Sequence, residues 1–376
     1  MLESAALSLL AGFQSLEPGH YVMICVGLAL IWLGASKGFE PLLLVPIGFG
    51  AVLVNFPLAG LMEGHGMFKI LYDVGIATEL FPLLIFVGIG AMIDFTPLLE
   101  NPRILLLGAA GQFGIFLTLI LALALGFSKT EASVVGIIGA CDGPTTIYFA
   151  SKYAPHMLGA VSVAAYSYMS LVPLLQPPIM RLLTTEKERK TMMPTIKKTT
   201  SKKVKILFPI VVALVVSIIA PLGTPLIGML MLGNFLRECG VVERLSNMAQ
   251  NELVNIVTLM LGVTIGATMQ AENFIRTETM MIFALGLVAI CLDTAAGVLF
   301  GKAMNFFTRG KFNPLVGAAG ISAFPMSARV VHGMGVKANP RNFLLGHAAG
   351  ANMGGQIGSV MAAAVMLSIL QGMGIS

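Results

Sequence analysis

Charge is scarce in this chain. Only 11% of its 376 residues are Asp, Glu, Lys or Arg, against 56% apolar residues and a mean hydropathy of +0.88. A soluble domain carries about 25% charge, so that class is excluded. Four cysteines, Cys25, Cys141, Cys239 and Cys291, stand singly, with neither C-x-x-C nor His/Cys spacing. That leaves no disulfide framework and no zinc site to read, and the cysteines are expected in packing roles. The five histidines are dispersed and form no H-E-x-x-H pair. No G-x-x-x-x-G-K-[ST] loop occurs, so the chain has no evident ATPase of its own.

What the chain does have is apolar runs, near 20–36, 41–62, 80–93, 104–127, 133–150, 157–180, 206–220, 223–236, 253–268, 279–301, 314–331 and 343–370. Many are long enough to cross roughly 30 Å of hydrocarbon at about 1.5 Å per residue. Two are short (80–93 and 223–236), and two are interrupted by Gly, Pro and polar residues (133–150 and 314–331). The fold expected is an all-α polytopic membrane protein of about nine to eleven crossings plus broken or re-entrant elements. Residues 1–19 lack a basic start and a small-residue cleavage site and read as an interfacial helix.

The net charge of +5 is concentrated in one place. Residues 181–205 hold nine of the 23 Lys and Arg, with no aromatic residue interleaved for base stacking. The segment reads as a solvated cytoplasmic loop rather than a nucleic-acid surface, and it is compatible with docking of a soluble partner. It divides the chain into a first membrane half, 20–180, and a second, 206–376. Laying "VVGIIGACDGPTT" (134–146) on "LVGAAGISAFPMS" (315–327) pairs Gly136 with Gly317, Gly139 with Gly320 and Pro144 with Pro325. Two related halves, each with a Gly/Pro-broken helix, are therefore expected. Backbone that leaves helical geometry inside a bilayer exposes amide and carbonyl groups, each costing several kcal/mol unless satisfied. Two such breaks point to a shared, hydrated, protein-lined hollow of the kind that holds ions in secondary transporters.

Within the first break lies Asp142, in "GACDGPTT". A carboxylate at a helix centre costs roughly 2.5–3.5 kcal/mol on insertion scales, so it needs a partner: a cation, a proton, or a basic residue of the second half. The alternative is an N-cap of the following half-helix. The second break offers Asn313, Ser322, Ser327 and Arg329; the amide and hydroxyl oxygens suit an alkali cation, and Arg329 suits a carboxylate or the interface. In "GANMGGQIGS", Asn352 and Ser359 are two turns apart on one helical face. Tyr166 and Tyr168 sit within a crossing, where a phenol needs a partner, and Tyr168 is a candidate proton carrier. Asp293 is either a second ion site or a helix-end residue.

Together "GACDGPTTIYFASKYAP", "VAAYSYMSLVPLLQPPIM", "GNFLRECGVVERLSNMAQNEL", "NPLVGAAGISAFPMSARVV" and "GANMGGQIGS" resemble the β subunit of the sodium-pumping, biotin-dependent decarboxylases, in order and over nearly the whole chain. The resemblance implies a membrane subunit that decarboxylates carboxybiotin, consumes a proton and moves Na⁺ outward. Biotin would come on a partner's carrier domain, since no A-M-K-M-like tetrapeptide is present. It implies as partners a carboxyltransferase α subunit, a biotin carrier, a small membrane-anchoring subunit and further copies of this chain, in a bacterial cytoplasmic membrane. The sodium ligands it implies are Asp142, Asn313, Ser322 and Asn352. Gly317 falls on a position of the family's second broken segment. Tyr168 and Ser322 belong to a second ion or proton position, and Arg329 orients the carboxybiotin end. Ala351 stands where the family pattern has proline, and Cys141 where alanine is expected. The chain length leans toward an acyl-CoA enzyme over an oxaloacetate enzyme. A stand-alone Na⁺- or H⁺-coupled transporter and a non-catalytic membrane anchor are the rival readings.

Overall fold

The computed structural model describes residues 12, 14–194 and 200–374, and among these no strand occurs. The principal helices are α1 (Pro18–Lys37), α2 (Pro41–Val54), α3 (Leu80–Met92), α4 (Leu105–Ala110), α5 (Phe113–Ala124), α6 (Lys129–Ile137) and α7 (Gly143–Tyr153). They continue as α8 (Leu158–Leu183), α9 (Lys202–Ile219), α10 (Thr224–Cys239), α11 (Val254–Ala267), α12 (Thr277–Phe307), α13 (Met326–Ala338) and α14 (Leu345–Gly372). The interfacial helix expected over 1–19 lies mostly outside the described residues, and its last two positions, Pro18 and Gly19, open α1.

Six helical spans are long and apolar enough to cross a bilayer, and a seventh arises if Met67–Ile76 and Leu80–Met92, bent by 61°, count as one. The other apolar runs behind the expected nine to eleven crossings form shorter, charged-ended or interrupted helices. The run at 41–62 yields only the 14-residue α2. The run at 206–220 folds together with Lys202, Lys203 and Lys205, which charge the start of α9. Runs 133–150 and 314–331 are cut by the two breaks.

Apolar side chains give helices no preference for one another over lipid, so close packing must come from small residues. Here α2 lies between α1 and α11, α3 packs on α10, and α12 packs on the second break. At that last contact the backbones nearly touch: a Cβ placed on Gly317 would stand 1.9 Å from the Gly297 carbonyl oxygen.

Around the breaks the chain runs alike twice. A 3₁₀ turn (Ile138–Ala140) leads to the non-helical pair Cys141–Asp142, then α7 and the 26-residue α8. A longer 3₁₀ turn (Pro314–Gly320) leads to an irregular stretch, then α13 and the 28-residue α14.

Candidate functional site

Cys141 ends the first 3₁₀ turn with φ 53°, in the left-handed region, where a side chain costs about 1–2 kcal/mol. Asp142 follows in extended conformation and caps α7, whose first residues are Gly143 and Pro144. This dipeptide therefore starts a helix rather than ending one: at a first turn proline's missing N–H is no loss. The cap is loose, with Thr145 N 3.5 Å from Asp142 Oδ1.

The carboxylate's second oxygen is held far more tightly. Oδ2 accepts from Thr145 Oγ1 at 2.7 Å, from Gln356 Nε2 at 2.9 Å and from Ser359 Oγ at 2.8 Å. Gln356 and Ser359 sit on α14 with Asn352 one turn before them, so the spacing 352, 356, 359 puts three polar side chains on one face. Asp142 is only 2% exposed and touches no Lys, Arg or His among the described residues. The basic partner from the second half is absent there. With Oδ2 saturated and Oδ1 weakly bonded, the free lone pairs are concentrated on Oδ1.

The two breaks meet. Ser322 N donates to the Ala140 carbonyl at 3.1 Å, and Ser322 Oγ donates to Gly355 O on α14 at 2.7 Å. Side chains satisfy much of the exposed backbone: Asn352 Nδ2 donates to Ile321 O at 2.6 Å, Gln112 Nε2 to Gly320 O at 3.2 Å, and Gln176 Nε2 to Ala318 O at 2.8 Å. Two buried amide oxygens, Asn352 Oδ1 and Gln112 Oε1, meet no hydrogen-bond partner among the described residues. Orphaned acceptors of this kind are costly unless an ion, a proton or water completes them.

Asn313 is not brought to Asp142. It caps the second 3₁₀ turn through Leu315 N at 3.0 Å, while its Nδ2 donates to the carbonyls of Arg189 (3.0 Å) and Thr191 (2.8 Å). Asn342 Nδ2 also reaches Arg189 O, at 3.1 Å. The basic loop is thus strapped to the second break. Beside the strap a cavity of about 880 Å³ is lined by Lys187, Lys311, His347 and the ion pair of Lys190 with Glu186, and His347 lies on the first turn of α14.

The tyrosines divide differently from expectation. Tyr168 donates its hydroxyl to the Phe283 carbonyl on α12, whereas Tyr166 packs against the backbone at Gly143, beside Asp142. Arg329 lies exposed on α13 and makes no ion pair among the described residues. Ser327 is turned inward to Gln176. Gln112, Gln176 and Gln356 were missed; each is an isolated amide in a Gly-rich or apolar run, the same signal that marked Asn352.

These features define a class: a polytopic helical membrane protein whose interrupted helices enclose a carboxylate, Asp142, held by neutral donors. The profile of the Na⁺-transporting oxaloacetate decarboxylase beta subunit matches residues 19–370, and the chain belongs to this family. It is 53% identical over 360 residues to the methylmalonyl-CoA decarboxylase subunit beta of Veillonella parvula, covering 96% of this chain and 95% of that one. Identity is 52% over 362 residues to the glutaconyl-CoA decarboxylase subunit beta of Acidaminococcus fermentans, covering 96% of each. The oxaloacetate decarboxylase beta chain of Klebsiella pneumoniae is 47% identical over 423 aligned positions, covering 96% and 98%. The chain is a subunit of a Na⁺-transporting decarboxylase.

Proposed function

We propose that this subunit decarboxylates carboxybiotin delivered by a partner and couples that step, with consumption of a proton, to Na⁺ export from a bacterial cytoplasm. The observation that supports it most is Asp142: a buried carboxylate with one oxygen saturated by three donors and no cationic side chain beside it. The cargo supplies the missing charge. Asp142 Oδ1 and Asn352 Oδ1 are its principal ligands, with Ser322 holding the two breaks together. Asn313 acts at a distance, by fixing the second break to the loop. Tyr168 keeps α8 against α12 and belongs to the proton position only through that packing. The two related halves, 20–180 and 206–376, move against each other about this site.

The basic cavity at the start of α14 is the carboxylate's entrance, reached from the loop side, and Arg329 orients the carboxybiotin end. A carboxyltransferase α subunit, a biotin carrier and a small membrane-anchoring subunit complete the assembly around several copies of this chain. The oxaloacetate relative needs 423 aligned positions and the methylmalonyl-CoA relative 360, which favours an acyl-CoA substrate for the complex.

The test is Asp142→Asn in the assembled complex. Na⁺-dependent decarboxylation is expected to vanish while carboxyl transfer to biotin by the α subunit continues. Unchanged Na⁺ dependence would reject Asp142 as a ligand, and solute transport by this chain alone would favour the stand-alone transporter.

A further inference from the structure

A second carboxylate lies buried in the membrane region, and nothing above uses it. Asp293, midway along α12, has no solvent exposure. Its Oδ1 accepts from Gly114 N at the start of α5, and its Oδ2 meets no hydrogen-bond partner among the described residues. Glycine makes room for it on two sides. A Cβ at Gly114 would stand 2.6 Å from Oδ1, and one at Gly139 would stand 2.9 Å from Oδ2.

Around α12 pack α4, α5, α6, α8, the 3₁₀ turn at 138–140 and the second break; α4 has no titratable residue, and Lys129 and Glu131 of α6 lie at its solvent-facing start, ten and eight residues before Gly139. The titratable groups these elements turn toward the middle of α12 are Cys141 and Asp142 at the end of the turn and Tyr168 against Gly286, with Cys291 on α12 itself; Arg181, Glu278 and Lys302 lie toward the helix ends. None of the groups at the middle is a cation. The neighbouring Thr294 hydroxyl is itself without a partner among the described residues. A charged Asp293 would therefore be uncompensated apart from one amide. A metal ion is the wrong occupant, because a hard cation collects several oxygens and the backbone at Gly139 and Gly114 closes directly on the carboxylate. A proton needs only Oδ2.

We propose that Asp293 is a proton-binding site whose environment responds to what Asp142 holds. The link is the broken segment: Gly139, against Oδ2, is three residues from Asp142, no more than about 11 Å of chain, so a shift in the Cys141–Asp142 backbone moves the wall of the Asp293 site. This link rests on Asp142 as the Na⁺ site; the proton site does not.

Infrared difference spectroscopy on the assembled complex in lipid vesicles tests both. Exchanging choline for Na⁺ is expected to perturb a carbonyl band of a protonated carboxyl group, downshifted in D₂O and persisting well above the pH at which an exposed carboxyl ionises. The band should be lost in Asp293→Asn. In Asp142→Asn it should drop out of the Na⁺ difference spectrum while the absolute spectrum keeps the D₂O-sensitive carbonyl band. Gly139→Ala, which sets a methyl group against Oδ2, should shift the band; this variant serves if Asp293→Asn fails to assemble. A band absent from both the absolute and difference spectra, one that persists in Asp293→Asn or one indifferent to Gly139→Ala would overturn the proton site and leave Asp293 as a cap of α5. A band that vanishes in Asp293→Asn yet responds to Na⁺ equally in Asp142→Asn would support the proton site and overturn the Asp142 reading.

Discussion

Asn352→Leu separates a ligand from a structural strut. The substitution keeps the number and branching of the side-chain heavy atoms and removes both ends of the amide. Without Na⁺ two effects oppose each other. Losing the 2.6 Å bond from Nδ2 leaves the Ile321 carbonyl unpaired, while deleting the orphaned Oδ1 relieves a buried acceptor. Each is worth about 1–3 kcal/mol, so the net change in Na⁺-free stability is expected within about 2 kcal/mol of zero. With Na⁺ the balance is one-sided. At a concentration 100 times Kd the ion stabilises the unsubstituted protein by about 2.7 kcal/mol. A lost contact to a charged group is worth about 1.5–3 kcal/mol, raising Kd roughly tenfold to a hundredfold. The stabilisation then falls to between about 1.4 and 0.4 kcal/mol. Thermal unfolding of the purified complex in NaCl against choline chloride reads the difference. If Na⁺ protects Asn352→Leu as fully as the unsubstituted protein, Asn352 is no ligand and its oxygen is satisfied by water.

Gly317→Ala is expected to destabilise the complex by about 1–3 kcal/mol, because its methyl group would meet the Gly297 carbonyl at 1.9 Å and only a backbone shift relieves it; the melting temperature checks this, and an unchanged value would refute the close approach. Asn313→Ala should free the loop from the second break, so that trypsin cuts at Lys187–Lys190 faster with Na⁺ affinity little changed; unaltered cleavage would mean the strap is held elsewhere. Arg329→Gln should leave stability unchanged, the side chain being exposed, and lower carboxybiotin turnover at saturating Na⁺. At Glu188, outside the membrane, burial would push the carboxyl up, but bonds from Thr185 N (2.7 Å) and Oγ1 (2.9 Å) and the charge of Lys302 hold it below its usual range. Its contribution to loop order is therefore present at neutral pH and lost as pH falls through the carboxylate range; proteolysis of the loop should speed up on acidification, and less so in Glu188→Gln.

The breaks were legible in the sequence because glycine and proline inside an apolar run have a fixed physical meaning, and Asp142 because a carboxylate there is too costly to be idle. Its company was only half legible. Asn352 and Ser359 shared a predicted helical face; Gln356 between them, which with Ser359 holds the carboxylate, lies on that face and offered the same isolated-amide signal. The place of Asn313 was not legible at all: its partners Arg189 and Thr191 are more than a hundred residues away in the chain, and no local pattern encodes that register. The interruptions at 133–150 and 314–331 were legible as breaks, whereas at 41–62 run length said nothing of where a helix would stop, and only the 14-residue α2 forms there. Spacing could not choose between Tyr166 and Tyr168, two residues apart on one helix and turned about 200° from each other; packing against Gly143 and Gly286 decides which faces what.

Why a cargo site would leave its carboxylate without a basic partner follows from release. A fixed Arg or Lys beside Asp142 would form a buried pair costly to break, and the ion would have to displace it on every cycle. Three neutral donors on Oδ2 do a different task. They fix the orientation and part of the charge while leaving Oδ1 free, which under the proposed Na⁺ role would let the site both fill and empty. Two of those donors, Gln356 and Ser359, belong to α14, whereas Thr145 belongs to α7. Any movement that draws α14 away from the first break strips two donors from Asp142 at once, and under the proposed role would change its hold on Na⁺. Coupling then needs no dedicated gate, because the packing contact between two helices is itself the ligand shell's support.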